Sequence, residues 1–242
     1  MTRTDPLRLV RAGLLLGLAL MIDRLLLTGQ MAMYVSPTLN PLSALTAVVL
    51  AAMGVLELRG GPRSSSHEAG VDRALTLGMV ALPVLLGLFM TPRALGASAV
   101  GDDRASSLVL AFAAQDNPGG AAPSSQPIQD VADLLAFLRR SGEGGIGQPV
   151  HAIGVVARSA DLPPNEFVLL RYAIVHCVAD ARPVGLLVAS SAADVADWSA
   201  DQWVAIDGTL ASRERNGDRL VTVVADRIVP ADEPNNPYLS GF

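Results

Sequence analysis

The chain has 242 residues, of which 50% are hydrophobic and 17% are charged. This composition is too apolar for a soluble domain over the whole length and indicates membrane-spanning segments joined to one smaller domain. Residues 1–95 hold eight arginines and five acidic residues, a net charge of +3, whereas residues 96–242 hold ten arginines and eighteen acidic residues, a net charge of −8. Such an acidic C-terminal half argues against nucleic acid as a partner. The single cysteine, Cys177, excludes an internal disulfide and zinc motifs built from several cysteines.

Three apolar stretches in the first 93 residues are long enough to cross a membrane as helices. They cover about residues 12–35, 42–58 and 74–91. A signal peptide is the alternative for the first stretch, but the apolar character resumes after its core and no cleavage site of small residues follows. Arginines precede the first stretch and follow the second. The positive-inside rule therefore predicts a multi-pass protein of the cell membrane with a cytoplasmic N-terminus and an extracytoplasmic C-terminal domain.

Two charged residues, Asp23 and Arg24, interrupt the first predicted span near its middle. A charge at that depth costs about 2.5–3.5 kcal/mol and therefore usually faces protein or water. Both residues are candidate contacts with a partner membrane protein. The alternative is that the helix is shifted, so that Arg24 extends to the membrane interface.

The rest of the chain predicts a linker at residues 94–126 and a small β domain at residues 127–242. Apolar residues recur at helical spacing over residues 127–140, and a short helix is predicted at residues 192–198. Segments rich in β-branched residues and bounded by turn formers predict five strands, at residues 150–158, 166–175, 183–190, 202–211 and 220–229.

Five short strands with an intervening helix indicate a small closed barrel of the oligonucleotide/oligosaccharide-binding (OB) type. The predicted fold class is therefore an α + β membrane protein. Three N-terminal transmembrane helices, within residues 1–93, precede an OB-like five-stranded β-barrel domain.

A polar cluster of His176, Cys177 and Asp180 lies between the second and third predicted strands. These residues offer nitrogen, sulfur and oxygen ligands to a zinc-like divalent metal, with His151 on the preceding strand as a fourth candidate. The alternative is that Cys177 is a buried apolar residue and that Asp180 caps the turn or pairs with a neighbouring arginine.

The sequence does not predict an enzyme. A nucleophilic pair of cysteine and histidine needs contact between the two side chains, whereas adjacent residues of a strand point to opposite faces. The motifs of serine hydrolases, P-loop proteins, dinucleotide-binding proteins and zinc proteases do not occur. Trp203 stands in an alternating strand and is expected in the core rather than on a ligand-binding face.

Several segments, in this order and spacing, resemble one family. They are GQMAMYVSPTLNPL from Gly29, RYAI from Arg171 followed by CVADARPVGLLV, QWVAIDGTL from Gln202, and PADEPNNPY from Pro230. The chain resembles the YcgQ-like family of two-component permease subunits over most of its length. The resemblance implies a separate multi-pass permease as partner and no known substrate. Family members commonly have two adjacent cysteines where this chain has His176 and Cys177. That exchange is compatible with metal binding and argues against a redox role that needs both sulfurs.

Two functional hypotheses follow. The first is a non-catalytic membrane subunit of a permease complex, with its spans in lipid and against the partner, and with its domain capping that partner or presenting a ligand. Asp23, Arg24, Arg171 and Trp203 are its candidate structural or partner contacts. The second is a membrane-anchored protein that binds a metal ion through His176, Cys177 and Asp180.

Overall fold

The structure is a computed structural model that describes residues 6–59, 81–82, 86–87, 93–100, 109, 126–190, 198–215 and 217–240. The chain divides into two compact units, Met1–Arg93 and Ala94–Phe242. The first unit is helical and the second is built around a β-sheet.

The described part of the first unit is a helical hairpin. Helix α1 (Pro6–Leu27) and helix α2 (Asn40–Arg59) are joined by two short 3₁₀ turns, at Gln30–Met33 and Pro37–Leu39. Small residues lie where the helices meet: Ala12, Ala19 and Ala47 are buried. A Cβ atom on Gly54 would lie 2.8 Å from Cγ of Leu16. Small side chains allow this close approach of two helices.

Helix α1 differs from the predicted first span of residues 12–35. It begins at Pro6 and ends at Leu27, because Gly29 takes a left-handed conformation with φ of 73° and ends the helix. The expectation that Asp23 and Arg24 lie near mid-span was wrong. Both lie near the C-terminal end of α1 and are exposed, and Arg24 stands in the last turn, where the helix dipole favours a cation.

Only one helix among the described residues, from Pro37 to Arg59, is long and apolar enough to cross a membrane by length and composition. It includes the predicted second span. Helix α1 is also long, but four charged residues interrupt its sequence. The predicted third span, residues 74–91, lies outside the described residues except at 81–82 and 86–87, which are helical. The described residues thus do not show the three membrane helices that the sequence predicted.

The second unit contains a closed barrel of five strands, which confirms the predicted α + β barrel architecture. The barrel order is β1-β4-β5-β3-β2 and back to β1, in keeping with an OB-like plan. All its pairings are antiparallel except the parallel pair of β3 and β5. A sixth short strand pairs in parallel with β2. The strands are β1 Pro149–Ala157, β2 Glu166–Ala173, β3 Arg182–Ala189, β4 Trp203–Arg215, β5 Asp218–Pro230 and β6 Tyr238–Leu239.

Two of the barrel pairings are short. Strands β1 and β2 pair only over Val155–Ala157 of β1, and β3 pairs with β5 only over Leu187–Ala189 of β3. In contrast, β4 and β5 pair almost from end to end, with a register shift between Asp207 and Gly208. The barrel therefore closes through two narrow seams.

The sheet buries apolar residues on both faces. A core cluster contains residues from all five barrel strands, and helix α3 (Val131–Ser141) packs Val131 and Leu134 against it. A second cluster contains alternate residues of β2, together with Val155, Leu187, Tyr238 and residues of the segment that precedes the barrel. The alternation in β2 places Phe167 and Leu169 in the first cluster and Val168 and Leu170 in the second.

Residues 94–126 were predicted to be a linker, but the first part of this segment packs against the barrel. Ala97 is 2% exposed and belongs to the second cluster, with Leu95 and Val100 packed beside it. Val109 forms an isolated parallel bridge with Gly185. Residues 101–108 and 110–125 lie outside the described residues, as does the predicted helix at 192–198 except for Trp198.

Candidate functional site

The polar cluster predicted from the sequence forms the loop between β2 and β3. The carboxylate of Asp180 accepts hydrogen bonds from the backbone N–H groups of Val175, His176 and Cys177, at 2.9, 2.9 and 3.2 Å. The Cys177 side chain in turn caps the backbone N–H of Asp180, at the start of the short 3₁₀ helix Val178–Asp180. Asp180 thus orders the loop by binding its backbone.

These contacts lower the pKa of Asp180. The largest cause is the hydrogen bond from the Val175 N–H, and the N–H groups of His176 and Cys177 and the charge of His176 act in the same direction. The His176 ring nitrogen Nδ1 lies 3.4 Å from the carboxylate, and the His176 side chain is largely exposed. The loop is therefore held by one ionised carboxylate.

Three of the four candidate metal ligands, His176, Cys177 and Asp180, lie in the β2–β3 loop, and the fourth lies on a different element. His151 is on β1, and its Nδ1 atom lies 2.6 Å from Oδ1 of Asp207 on β4. Asp180 is engaged by three backbone groups. Within the described ranges, no group of three or more His, Cys, Asp and Glu side chains could hold a metal ion. The metal hypothesis gains no support from this geometry and stays a prediction.

Arg171 and Trp203 come together at the seam where β1 leaves β2. Arg171 is 6% exposed. Its Nη1 donates to the carbonyl of Ile153 on β1 at 3.0 Å, and its Nη2 donates to the carbonyl of Asn236 at 3.3 Å. The guanidinium carbon lies 5.5 Å from the centre of the Trp203 ring. Where the short backbone pairing of β1 with β2 ends, the Arg171 side chain links β2 to β1 and to the C-terminal tail.

The electrostatics of Arg171 are unusual for a buried cation. Burial lowers the pKa of its guanidinium, and the charge of Asp130 partly opposes that effect. In the described part of the chain no carboxylate forms an ion pair with it, and its buried Nε atom has no hydrogen-bond partner. Two carbonyl dipoles and an aromatic face stabilise the charge instead. We therefore interpret Arg171 as a structural clasp for the tail.

Sequence reasoning missed a second set of charged contacts, at the tip of the β4–β5 hairpin. Arg215 lies 2.7 Å from Asp161 in the β1–β2 loop. Arg213 pairs with the buried Glu166, and Arg219 pairs with Glu143. The hairpin loop and the β1–β2 loop are thereby tied together. The predicted fourth strand ended at residue 211, because the charged residues beyond it carry no strand-like alternation.

The helical unit contains an apolar cleft of about 460 Å³. Met21 and Leu25 of α1 line one part of it, and Met31, Tyr34 and Leu86 line others. The lining residues of α1 flank Asp23 and Arg24 in the sequence. The cleft therefore lies near the end of α1 that also carries Asp23 and Arg24.

The fold defines a two-part protein, in which a helical unit precedes a closed five-stranded barrel domain. Family models agree with this division: the DUF1980 N-terminal domain matches residues 10–106, and the DUF1980 C-terminal domain matches residues 130–240. The chain therefore belongs to the DUF1980 family, whose domains have no established function. The match agrees with the predicted division into two domains, and the resemblance to YcgQ-like permease subunits stays a prediction.

No curated protein matches the chain. Among solved structures, a small single-stranded DNA-binding protein from Streptomyces coelicolor is similar over 35% of this chain and 94% of its own. The sequence identity is 16% and the TM-score is 0.27. A likeness at this level carries no argument about ligands.

Replacing Asp180 with alanine is expected to release the loop. The backbone amides of Val175, His176 and Cys177 lose their acceptor, so hydrogen exchange there should accelerate while exchange in β2 stays slow. Asp226→Ala is the matched control, because Asp226 is exposed on β5. Unchanged exchange at the three amides would contradict the capping role.

The same contact predicts a pH dependence. Because the folded pKa of Asp180 is below its ordinary value of 3.8, its stabilising effect is present above that value and is lost as the pH falls through the lowered pKa. Urea midpoints of the wild type and of Asp180→Ala should therefore differ at neutral pH and converge in acid. A difference that persists in strong acid would contradict this assignment.

Proposed function

We propose that this DUF1980 protein is a non-catalytic membrane subunit of a two-component permease complex. In this proposal the helical unit, with three spans, lies in lipid and packs against a multi-pass permease. The barrel domain lies on the extracytoplasmic side, where it caps the partner or presents a ligand to it.

One observation carries the proposal: the apolar surface of α2. The most apolar 18-residue stretch of the helix from Pro37 to Arg59 has a mean hydropathy of 1.9, and only 11% of that stretch is buried inside the protein. The outward side chains of Leu42, Leu45, Val48 and Leu56 are each about 60% exposed. An exposed apolar surface of this kind is typical of contact with lipid or with another protein.

The end of α1 supports a contact with a partner. Leu27 is 88% exposed, and Asp23 and Arg24 are exposed beside it. Charged residues near the end of a membrane helix commonly face the interface or a protein partner. The apolar cleft lined by Met21 and Leu25 provides space for side chains of that partner.

Two polar sites of the barrel are consistent with the proposed non-catalytic role. The carboxylate of Asp180 is engaged by backbone N–H groups, and the guanidinium of Arg171 by backbone carbonyls. Groups engaged in this way serve the fold and are not poised for proton transfer or nucleophilic attack.

Purification of the tagged chain from its native cell in mild detergent tests the proposal. We expect a multi-pass permease in comparable amount by mass spectrometry, and lower recovery with the double variant Asp23→Ala/Arg24→Ala. The matched control is Arg139→Ala/Arg140→Ala, which changes exposed charges of α3 in the barrel unit. Reproducible recovery of the folded chain alone would contradict the proposal.

The single cysteine provides a test of topology. Cys177 is partly exposed, so a membrane-impermeant maleimide should label it in intact cells if the barrel domain is extracytoplasmic. Cys177→Ser should abolish labelling. Adding Ser65→Cys to that variant places a thiol in the loop predicted to be cytoplasmic, which should react only after the cells are opened. Labelling with the reverse pattern would contradict the orientation.

A further inference from the structure

The outer face of β2 and β3 is covered by the chain itself. Barrels of the OB type bind oligonucleotides and oligosaccharides on the face of strands 2 and 3, between the β1–β2 and β4–β5 loops. Here Val168, Leu170 and Tyr172 of that face are buried in the second apolar cluster. Residues 94–100, which we name the cover segment, contribute Ala97 to this cluster, with Leu95 and Val100 packed against it.

Three hydrogen bonds to side chains hold the cover segment. The Leu95 N–H donates to the Tyr238 hydroxyl at 3.2 Å, and the Tyr172 hydroxyl donates to the Gly96 carbonyl at 2.8 Å. The Ser98 N–H donates to Oδ1 of Asp201 at 3.2 Å.

The Tyr172 hydroxyl remains a donor over the whole physiological range. Burial, with the charges of Asp201 and Tyr238, raises the pKa of Tyr172 to about 12. Its bond to the Gly96 carbonyl is therefore independent of pH under these conditions.

The cover segment is attached differently from the barrel strands. Its described backbone-to-backbone hydrogen bonds are internal, from Ala99 to Gly96 and from Val100 to Ala97. The barrel strands are joined by continuous backbone ladders and enclose a separate core cluster that contains no residue of the cover segment. Opening the cover segment therefore breaks three hydrogen bonds to side chains and the packing of Ala97, Leu95 and Val100 in the second cluster, and it leaves the ladders and the separate core cluster intact.

We propose that the cover segment is a lid that opens as a unit of its own, without unfolding of the barrel. Opening exposes the apolar outer face of β2, through which barrels of this class take their ligands. In the closed state the lid occupies that face and excludes other ligands. This inference rests on the barrel unit and is independent of the proposed membrane role.

Hydrogen exchange of the full chain in detergent micelles, measured with increasing low concentrations of urea, tests the proposal. Peptides spanning residues 94–100 and 166–173 report the lid and β2. In the wild type we expect the lid amides to exchange at least tenfold faster than those of β2, with little dependence on urea, as a local opening requires.

The double variant Tyr172→Phe/Tyr238→Phe should accelerate exchange of the lid by about tenfold or more, because it removes two of its three bonds. Exchange in β2 and the urea midpoint of the barrel should change little. Tyr34→Phe is the matched control. Tyr34 is the third tyrosine of the chain, and its hydroxyl takes no part in the hydrogen bonds that hold the cover segment.

Lid and β2 amides that exchange at one rate with one urea dependence in the wild type would overturn the proposal, because they would then belong to the same cooperative unit. This comparison needs no variant, so it decides the question even if the double variant does not fold. Acceleration of both peptides equally in the double variant would likewise overturn it.

Discussion

Replacing Arg171 with alanine is expected to lower the free energy of unfolding of the barrel unit by about 3–5 kcal/mol. The change leaves the carbonyls of Ile153 and Asn236 without their donor and opens a cavity beside the Trp203 ring. Each buried carbonyl left unpaired costs about 1–3 kcal/mol, and the cavity adds to that cost. The tail should also loosen, since Arg171 binds it directly.

Urea unfolding followed by tryptophan fluorescence measures this effect on the barrel unit alone, because both tryptophans of the chain, Trp198 and Trp203, lie in it. Arg171→Met is the matched control. It retains most of the volume but leaves the same two carbonyls without a donor, so it should cost less than alanine by the contribution of the cavity alone. Equal midpoints for alanine and wild type would show that Arg171 does not clasp the seam.

Replacing Gly208 with alanine is expected to destabilise the barrel by about 3 kcal/mol or more. Gly208 follows the register shift in β4. A Cβ atom there would lie 2.9 Å from the Cα atom of Ala225 and would also meet the Val224 carbonyl. Both obstacles belong to the backbone of β5, so relief requires the two strands to separate rather than a side chain to rotate.

Gly144→Ala is the matched control, because nothing lies within 4 Å of the Cβ position there. We expect Gly144→Ala to keep the wild-type urea midpoint, while Gly208→Ala shifts it strongly or yields no folded protein. A Gly208→Ala chain that unfolds at the wild-type midpoint would mean that β4 and β5 are not as close at the bulge as the structure shows.

The sequence predicted the barrel because its strands are buried and bounded by turn formers. The predicted strand at residues 166–175 exceeds β2 by two residues, and the predicted strand at 183–190 differs from β3 by one at each end. Runs of β-branched residues determine such elements locally. Their number and spacing were enough to suggest the closed five-stranded plan.

Elements that depend on distant partners could not be predicted. The charged arm of β4 beyond residue 211 is a strand because Arg213 and Arg215 find Glu166 and Asp161 across the barrel. Strand β6 is two residues long and exists only through its pairing with β2. The early end of α1 was predictable in principle, since a glycine after an apolar run is a helix-stop signal, and Gly29 follows that run.

The polar sites likewise include contacts between residues close in sequence, which could be predicted, and contacts between distant residues, which could not. The capping of the β2–β3 loop by Asp180 was foreseeable as an alternative, because its partners are within five residues. The meeting of Arg171 with Trp203 and Asn236 was not, since these residues are 32 and 65 positions away in sequence. Only the packing of the barrel brings them together.

The two narrow seams give the barrel a preferred line of failure under mechanical load. The backbone pairing that joins strands β2 and β3, with the tail strand β6, to β1, β4 and β5 covers only three residues of β1 and three of β3. A pulling force along the chain would part these seams before it unzipped the long β4–β5 ladder. Stretching should therefore proceed in two steps: separation of the β3-β2-β6 part of the sheet from the β1-β4-β5 part, and then the rupture of each.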